Sequence, residues 1–171
     1  MDTARTVLTA IGRDRPGLVE EVTAFFLARG GNVEESRMAN LLGQFAIAVL
    51  LSGSAESIAR ITADVDELRA QTGLQLQLTP VSTERAAPAP QLRFHGQALD
   101  EPGLVHEVAD VFRGNGANIE SLSTSIEPAP VTGAPVFTID AVVSAVDADA
   151  LREALRPVCA RLDISWDLDP S

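Results

Sequence analysis

Two short residue arrays suited to holding a small zwitterion each occur twice in this 171-residue chain. The first is Asp14-Arg-Pro-Gly17-Leu18, repeated as Asp100-Glu-Pro-Gly103-Leu104. The second is Gly30-Gly-Asn32-Val-Glu34, repeated as Gly116-Ala-Asn118-Ile-Glu120. A free amino acid presents a carboxylate and an ammonium. A Pro-Gly turn leading into a helix leaves backbone N–H groups without intrahelical partners, and the helix dipole favours an anion there. Gly17 and Gly103 let backbone approach a ligand with no Cβ in the way. Asn32 and Asn118 each offer an acceptor and a donor, and the carboxylates of Asp14 and Asp100 attract an ammonium. The same residues also have purely structural uses. Pro-Gly shapes a turn, Asp caps a helix, and Asn tolerates the left-handed conformation after a helix end. Residue type alone leaves both readings open.

The remaining chemistry-bearing residues form no comparable constellation. All 13 basic residues are arginine, so neither a Schiff-base lysine nor a phosphate-loop lysine exists. His95 is expected on a strand and His106 on the outer side of a helix, each without the partners that a metal or catalytic site needs. Cys159 has no histidine near it in sequence and reads as a helix-packing residue. It is the sole cysteine, so no intramolecular disulfide forms. The pairs Glu20-Glu21 and Glu34-Glu35 read as solvated charge, and Gly30-Gly31 as a helix stop. Trp166 is expected on a strand, covering an open sheet face. No metal, cofactor or catalytic group is expected. With 24 acidic residues the formal charge is −11, which argues against a direct grip on nucleic acid.

The elements that must position these residues follow from the repeat. Asp14–Glu35 and Asp100–Ser121 align without a gap, with 11 identities in 22 positions. Each copy reads β-α-β-β-α-β. In the first, Thr6–Ile11 is a strand; Leu18, Val19, Val22, Phe25 and Phe26 form one helical face; and Val33–Asn40 and Gln44–Leu51 are strands. A second helix from Ser54 to Gly73 carries Ile58, Ile61, Val65 and Leu68 inward, and a strand through Leu74, Leu76 and Leu78 closes the unit. In the second copy the strands are Leu92–Ala98, Asn118–Ile126, Val136–Ser144 and Ile164–Leu168. Its helical faces are Leu104, Val105, Val108, Val111 and Phe112, then Leu151, Leu155, Val158 and Leu162 behind an Asp147 cap. Two departures set this copy apart. The turn Glu127–Pro135 is six residues longer than its counterpart, and Pro157 is expected to kink or restart the last helix.

This order is an α+β, ferredoxin-like arrangement, an antiparallel four-stranded sheet with two helices on one face. The boundaries read as module 1 at 1–82, an Ala/Pro linker at 83–90 and module 2 at 91–171. Exposed edges make pairing of the modules into one continuous sheet the expected arrangement. No apolar run reaches the length of a membrane helix, and Met1–Arg5 lacks the character of a signal peptide, so a cytoplasmic protein is expected.

The Asp-x-Pro-Gly-Leu-Val and Gly-x-Asn-(Val/Ile)-Glu motifs, with fifteen positions from Gly17 to Asn32 and from Gly103 to Asn118, resemble the ACT domain. That family comprises regulatory modules that bind amino acids and other small metabolites. Tandem copies with a Pro-rich hairpin are similar to the glycine cleavage system transcriptional repressor group. The resemblance implies a non-catalytic amino-acid sensor acting through a protein partner such as a DNA-binding regulator, with glycine or serine as favoured ligand and a homodimer as assembly. It also implies one site from Asp14, Gly17 and Leu18 with Asn118, and another from Asp100, Gly103 and Leu104 with Asn32. The alternative is a regulatory or assembly subunit of a metabolic enzyme that binds protein and no small ligand.

Overall fold

In a computed structural model the chain is described over residues 3–81, 90–130, 132–145 and 147–171. It divides into two compact units, Met1–Arg85 and Ala86–Ser171. The linker expected at 83–90 lies outside the described residues except for Pro90.

The first unit runs β1 (Thr3–Arg13), α1 (Leu18–Ala28), β2 (Asn32–Leu41), β3 (Gln44–Ser54), α2 (Ala55–Ala63), α3 (Val65–Thr72) and β4 (Gln75–Pro80). The second runs β5 (Gln91–Leu99), α4 (Leu104–Gly114), β6 (Asn118–Pro128), β7 (Pro135–Ser144), α5 (Ala148–Arg161) and β8 (Ser165–Pro170). The strand orders are β2-β3-β1-β4 and β6-β7-β5-β8, with every pairing antiparallel. These are two four-stranded ladders, one in each unit.

Alternation along the central strands explains one core per unit. In β3, Phe45, Ile47, Val49 and Leu51 all face the helices and are buried. They meet Leu18, Val22, Phe25 and Phe26 of α1 and Ile61 and Leu68 of α2 and α3. Val19, expected on the same helical face, is instead 45% exposed. In the second unit Phe94 is fully buried, edge-on to Phe112 at 5.5 Å and stacked with Trp166 at 6.3 Å. Trp166 therefore packs on the helix-covered side rather than over the open face, because it shares the β8 face of buried Leu168 two residues on.

Two helices depart from expectation in opposite ways. The helix expected from Ser54 to Gly73 is two helices, broken at Asp64. The Asp64 carboxylate accepts from Arg29 Nε at 2.8 Å, and Arg29 also reaches Glu67 at 2.6 Å. The helix expected to kink or restart at Pro157 is instead one element, Ala148–Arg161, capped by Asp147. Pro157 and Glu153, the residue whose carbonyl loses its donor, are both exposed, so water can replace the missing bond. Leu151, Leu155 and Cys159 stay buried on the other side and hold the axis.

Candidate functional site

Each Asp-x-Pro-Gly turn is bolted to the neighbouring hairpin. The Asp14 N–H donates to the Gly43 carbonyl at 2.9 Å, and the Asp100 N–H donates to the Pro135 carbonyl at 3.1 Å. Gly17 and Gly103 have φ of 93° and 100°, a left-handed conformation that a side chain would strain. Because these glycines are the N-caps, the helices start at Leu18 and Leu104, so Pro16 precedes the helix rather than occupying its first turn. Leu18 and Leu104 bury their side chains, so each can meet a ligand only through its backbone.

The cap expected of Asp14 or Asp100 is absent, since neither α1 nor α4 has a side-chain cap, whereas Ser54 and Asp147 cap α2 and α5. Asp14 Oδ2 instead accepts from Asn40 Nδ2 at 2.5 Å, and Asn40 Oδ1 accepts from the Gly43 N–H. The first intrahelical bonds run from Glu21 N–H to Gly17 O and from Glu107 N–H to Gly103 O. Backbone donors of Leu18 to Glu20, and of Leu104 to His106, precede the ladder and form a small electropositive nest in each unit.

Asn32 and Asn118 are the exposed first residues of the edge strands β2 and β6. Neither is left-handed; among the described residues only Leu42 and Asp163 combine a side chain with positive φ. In each unit an 11-residue helix, roughly 16 Å long at 1.5 Å per residue, separates the turn from the asparagine. A turn and the asparagine of its own module therefore sit at opposite helix ends and do not converge on one small ligand.

The structure engages three carboxylates that sequence reasoning took for solvated charge or did not single out. Glu21 forms a two-pronged pair with Arg15 at 2.5 and 2.9 Å, and that bonding holds its carboxyl below the usual range. At the repeated bulge, Glu34 pairs with Arg5 and Glu120 accepts from Ser144 Oγ at 2.6 Å and Asn118 Nδ2 at 2.9 Å. Both are held below the ordinary carboxylate range, Glu34 chiefly by Arg5 and Glu120 chiefly by Ser144. The signal for this pair was present in the repeat, where Glu34 and Glu120 align. What could not be read was the serine opposite, which lies on a different strand.

His95 lies on the open face of β5 with Nδ1 2.8 Å from Asp140 Oδ1, its cross-strand neighbour, and His106 is exposed on α4. Burial pushes the Cys159 thiol up to about 11. Among the described residues no group of three or more His, Cys, Asp and Glu side chains is placed to hold a metal ion.

Residues 5–79 match the ACT domain model, a span that covers β1 through most of β4. Over 167 residues the chain is 28% identical to the glycine cleavage system transcriptional repressor of Escherichia coli, covering 95% of this chain and 88% of that protein. Among solved structures, an unknown protein from Galdieria sulphuraria superposes with a TM-score of 0.87 at 28% identity, covering 99% of both chains. A candidate glycine cleavage system transcriptional repressor superposes with a TM-score of 0.73 at 25% identity, covering 99% of this chain and 98% of that one. Residues 5–79 thus match an ACT domain, and the chain as a whole is similar to the glycine cleavage system transcriptional repressors.

Proposed function

We propose that this protein is a non-catalytic sensor of glycine or another small amino acid such as serine, and that it controls gene expression or metabolism through a protein partner. The observation that carries the reading is the duplicated, uncapped helix start. In both modules a left-handed glycine leaves backbone donors free at the positive end of a helix. The other two helices that follow a strand directly are closed by side-chain caps. On this reading the turns of Asp14, Gly17 and Leu18 and of Asp100, Gly103 and Leu104 take the ligand carboxylate, and Asn118 or Asn32 of another module completes each site. With a net charge of −11, the chain acts on genes through a DNA-binding regulator rather than by gripping DNA itself. A cytoplasmic homodimer fits this role; among the described residues no helix is long and apolar enough to cross a membrane.

Ligand size limits the affinity. Glycine has five heavy atoms, and a ceiling of about −1.5 kcal/mol per atom puts its best binding near −7.5 kcal/mol, or micromolar. That suits a reporter of a metabolite pool. Thermal-shift and calorimetric titration with glycine, serine and the branched amino acids tests the reading. At about 10 mM, a ligand bound 100-fold below that concentration stabilises the native state by about 2.7 kcal/mol, a shift of several degrees. An unmoved melting temperature with every amino acid would refute it. It would favour the alternative, a regulatory or assembly subunit of a metabolic enzyme that binds protein only. The exposure of every residue of β2 supports that second reading, because an unpaired strand edge is a ready protein-binding surface.

A further inference from the structure

The two modules differ in character on the sheet face that their helices leave open. In the first module that face carries Val7, Ile11, Leu41, Ala46, Ala48 and Leu50, because the alternate residues Leu8, Phe45 and Ile47 are buried under the helices. Ile11 is 50% and Leu41 65% exposed, so the patch meets solvent. At the matching positions of the second module stand Arg93, Gln97, Glu127, Thr138, Asp140 and Val142. The same ladder register is thus built with a polar face in one repeat and an apolar face in the other. Folding of the sheet does not require the apolar one.

Charge divides the two faces in the same way. Around the first stand Arg5, Arg13 and Arg37 against Glu34 and Glu35, and most of this charge is neutralised within the module. Arg5 pairs with Glu34 at 2.9 Å, and Arg37 pairs with Glu35 at 2.9 Å. The second face sets Arg93 against Asp140, Asp167, Asp169 and Glu127. Two copies of a chain of net charge −11 repel each other. Of the two open faces, the first is the one on which they can meet without setting carboxylate against carboxylate.

We infer that the open face of the first module is a homodimer contact, on which a second copy of this chain stacks the same face, sheet to sheet. The inference rests on the homodimer of the proposed function and supplies its contact. The size is sufficient. From Arg5 to Arg13 at about 3.4 Å per residue, across four strands about 4.8 Å apart, the face measures roughly 27 by 19 Å. Two such faces bury on the order of 1,000 Å², the area at which an interface becomes specific. The shape is self-complementary as well. With a two-fold axis lying across the strands, Ala48 sits on the axis, and Leu50 meets Ala46 of the partner subunit, large against small. The central alanines let the sheets close to the usual spacing of about 10 Å.

The test is sedimentation equilibrium of the full chain across the micromolar range, where a dimer is expected. Ala48→Asp sets a carboxylate of each copy against the other on the axis and is expected to weaken the dimer about 100-fold or more. Ile11→Gln removes apolar burial from both copies and is expected to weaken it at least about tenfold. Both variants borrow what the second module already carries at the matching positions, Asp140 and Gln97, so the sheet tolerates them, and circular dichroism checks this. Asp140→Ala in the second module is expected to leave the dimer unchanged. Ala48→Cys is expected to join two chains through a short bis-maleimide, since the native Cys159 is buried and does not compete. A dimer that survives both Ala48→Asp and Ile11→Gln, or an Ala48→Cys chain that does not cross-link, overturns this contact and leaves the homodimer standing. A monomeric parent overturns both, and the amino-acid titration then judges the sensing reading on its own.

Discussion

Gly96 on β5 is the sharpest packing constraint in the second module. A Cβ built there would stand 2.9 Å from two carbons of the Phe94 ring and 3.1 Å from Ile164. The ring cannot yield, since it is fully buried and wedged between Phe112 and Trp166. In the first module the aligned positions are Leu8 and Ala10, with Ala10 paired across to Leu76 where Gly96 faces Trp166. Across from Leu8 lies Val49, and across from Phe94 lies Ala141. The repeats have thus exchanged volume between neighbours, with a larger ring at one position compensated by smaller residues beside it.

Gly96→Ala in a strand would by itself stabilise by about 0.4–1 kcal/mol through the unfolded chain. Overpacking a rigid core site costs about 1–3 kcal/mol, so a net loss is expected. Phe94→Leu alone is expected to cost about 1–2 kcal/mol for lost contacts and residual cavity. Together the two changes restore the small-beside-medium packing of the first module. The double variant should therefore be at least ~1 kcal/mol more stable than the two losses summed. Trp166 is the only tryptophan, so its fluorescence in a urea titration reports the second module selectively. A strictly additive double variant, or a Gly96→Ala protein as stable as the parent, would refute this account of the core.

Four further outcomes are expected. Gly17→Ala and Gly103→Ala should each cost about 1–2 kcal/mol in thermal denaturation, because φ near 93–100° strains any side chain even where space is open. Leu42 occupies a left-handed hairpin position with φ 51° and its side chain fully in solvent, so Leu42→Asn should stabilise by about 0.5–1 kcal/mol, and a lower melting temperature would contradict this. Glu120 should titrate by NMR below the ordinary carboxylate range and move upward in Ser144→Ala. Since its folded pKa lies below the unfolded one, its stabilising contribution is complete above the unfolded value and is lost as pH falls through the folded value. Cys159 should resist thiol reagents at pH 8 in the native state and react on unfolding; fast native labelling would show the α5 packing to be wrong.

The repeat, the element order and the core faces were legible from the sequence, because hydrophobic periodicity and Pro-Gly punctuation are local properties. So were the Asp-x-Pro-Gly turns and the asparagines as candidate residues, since both motifs recur at the same spacing. What each residue faces was decided only by tertiary structure. Trp166 turned inward because strand pairing placed it on the face of Leu168. Pro157 left its helix whole because its freed carbonyl lies on the solvent side, while Asp64, with no sequence signal, broke another where Arg29 reached it. Asp14 was drawn to Asn40, and Glu34, taken for solvated charge, to Arg5. Secondary structure follows from neighbours a few residues apart. Which carboxylate is spent on a contact and which remains free depends on side chains brought together from distant parts of the chain.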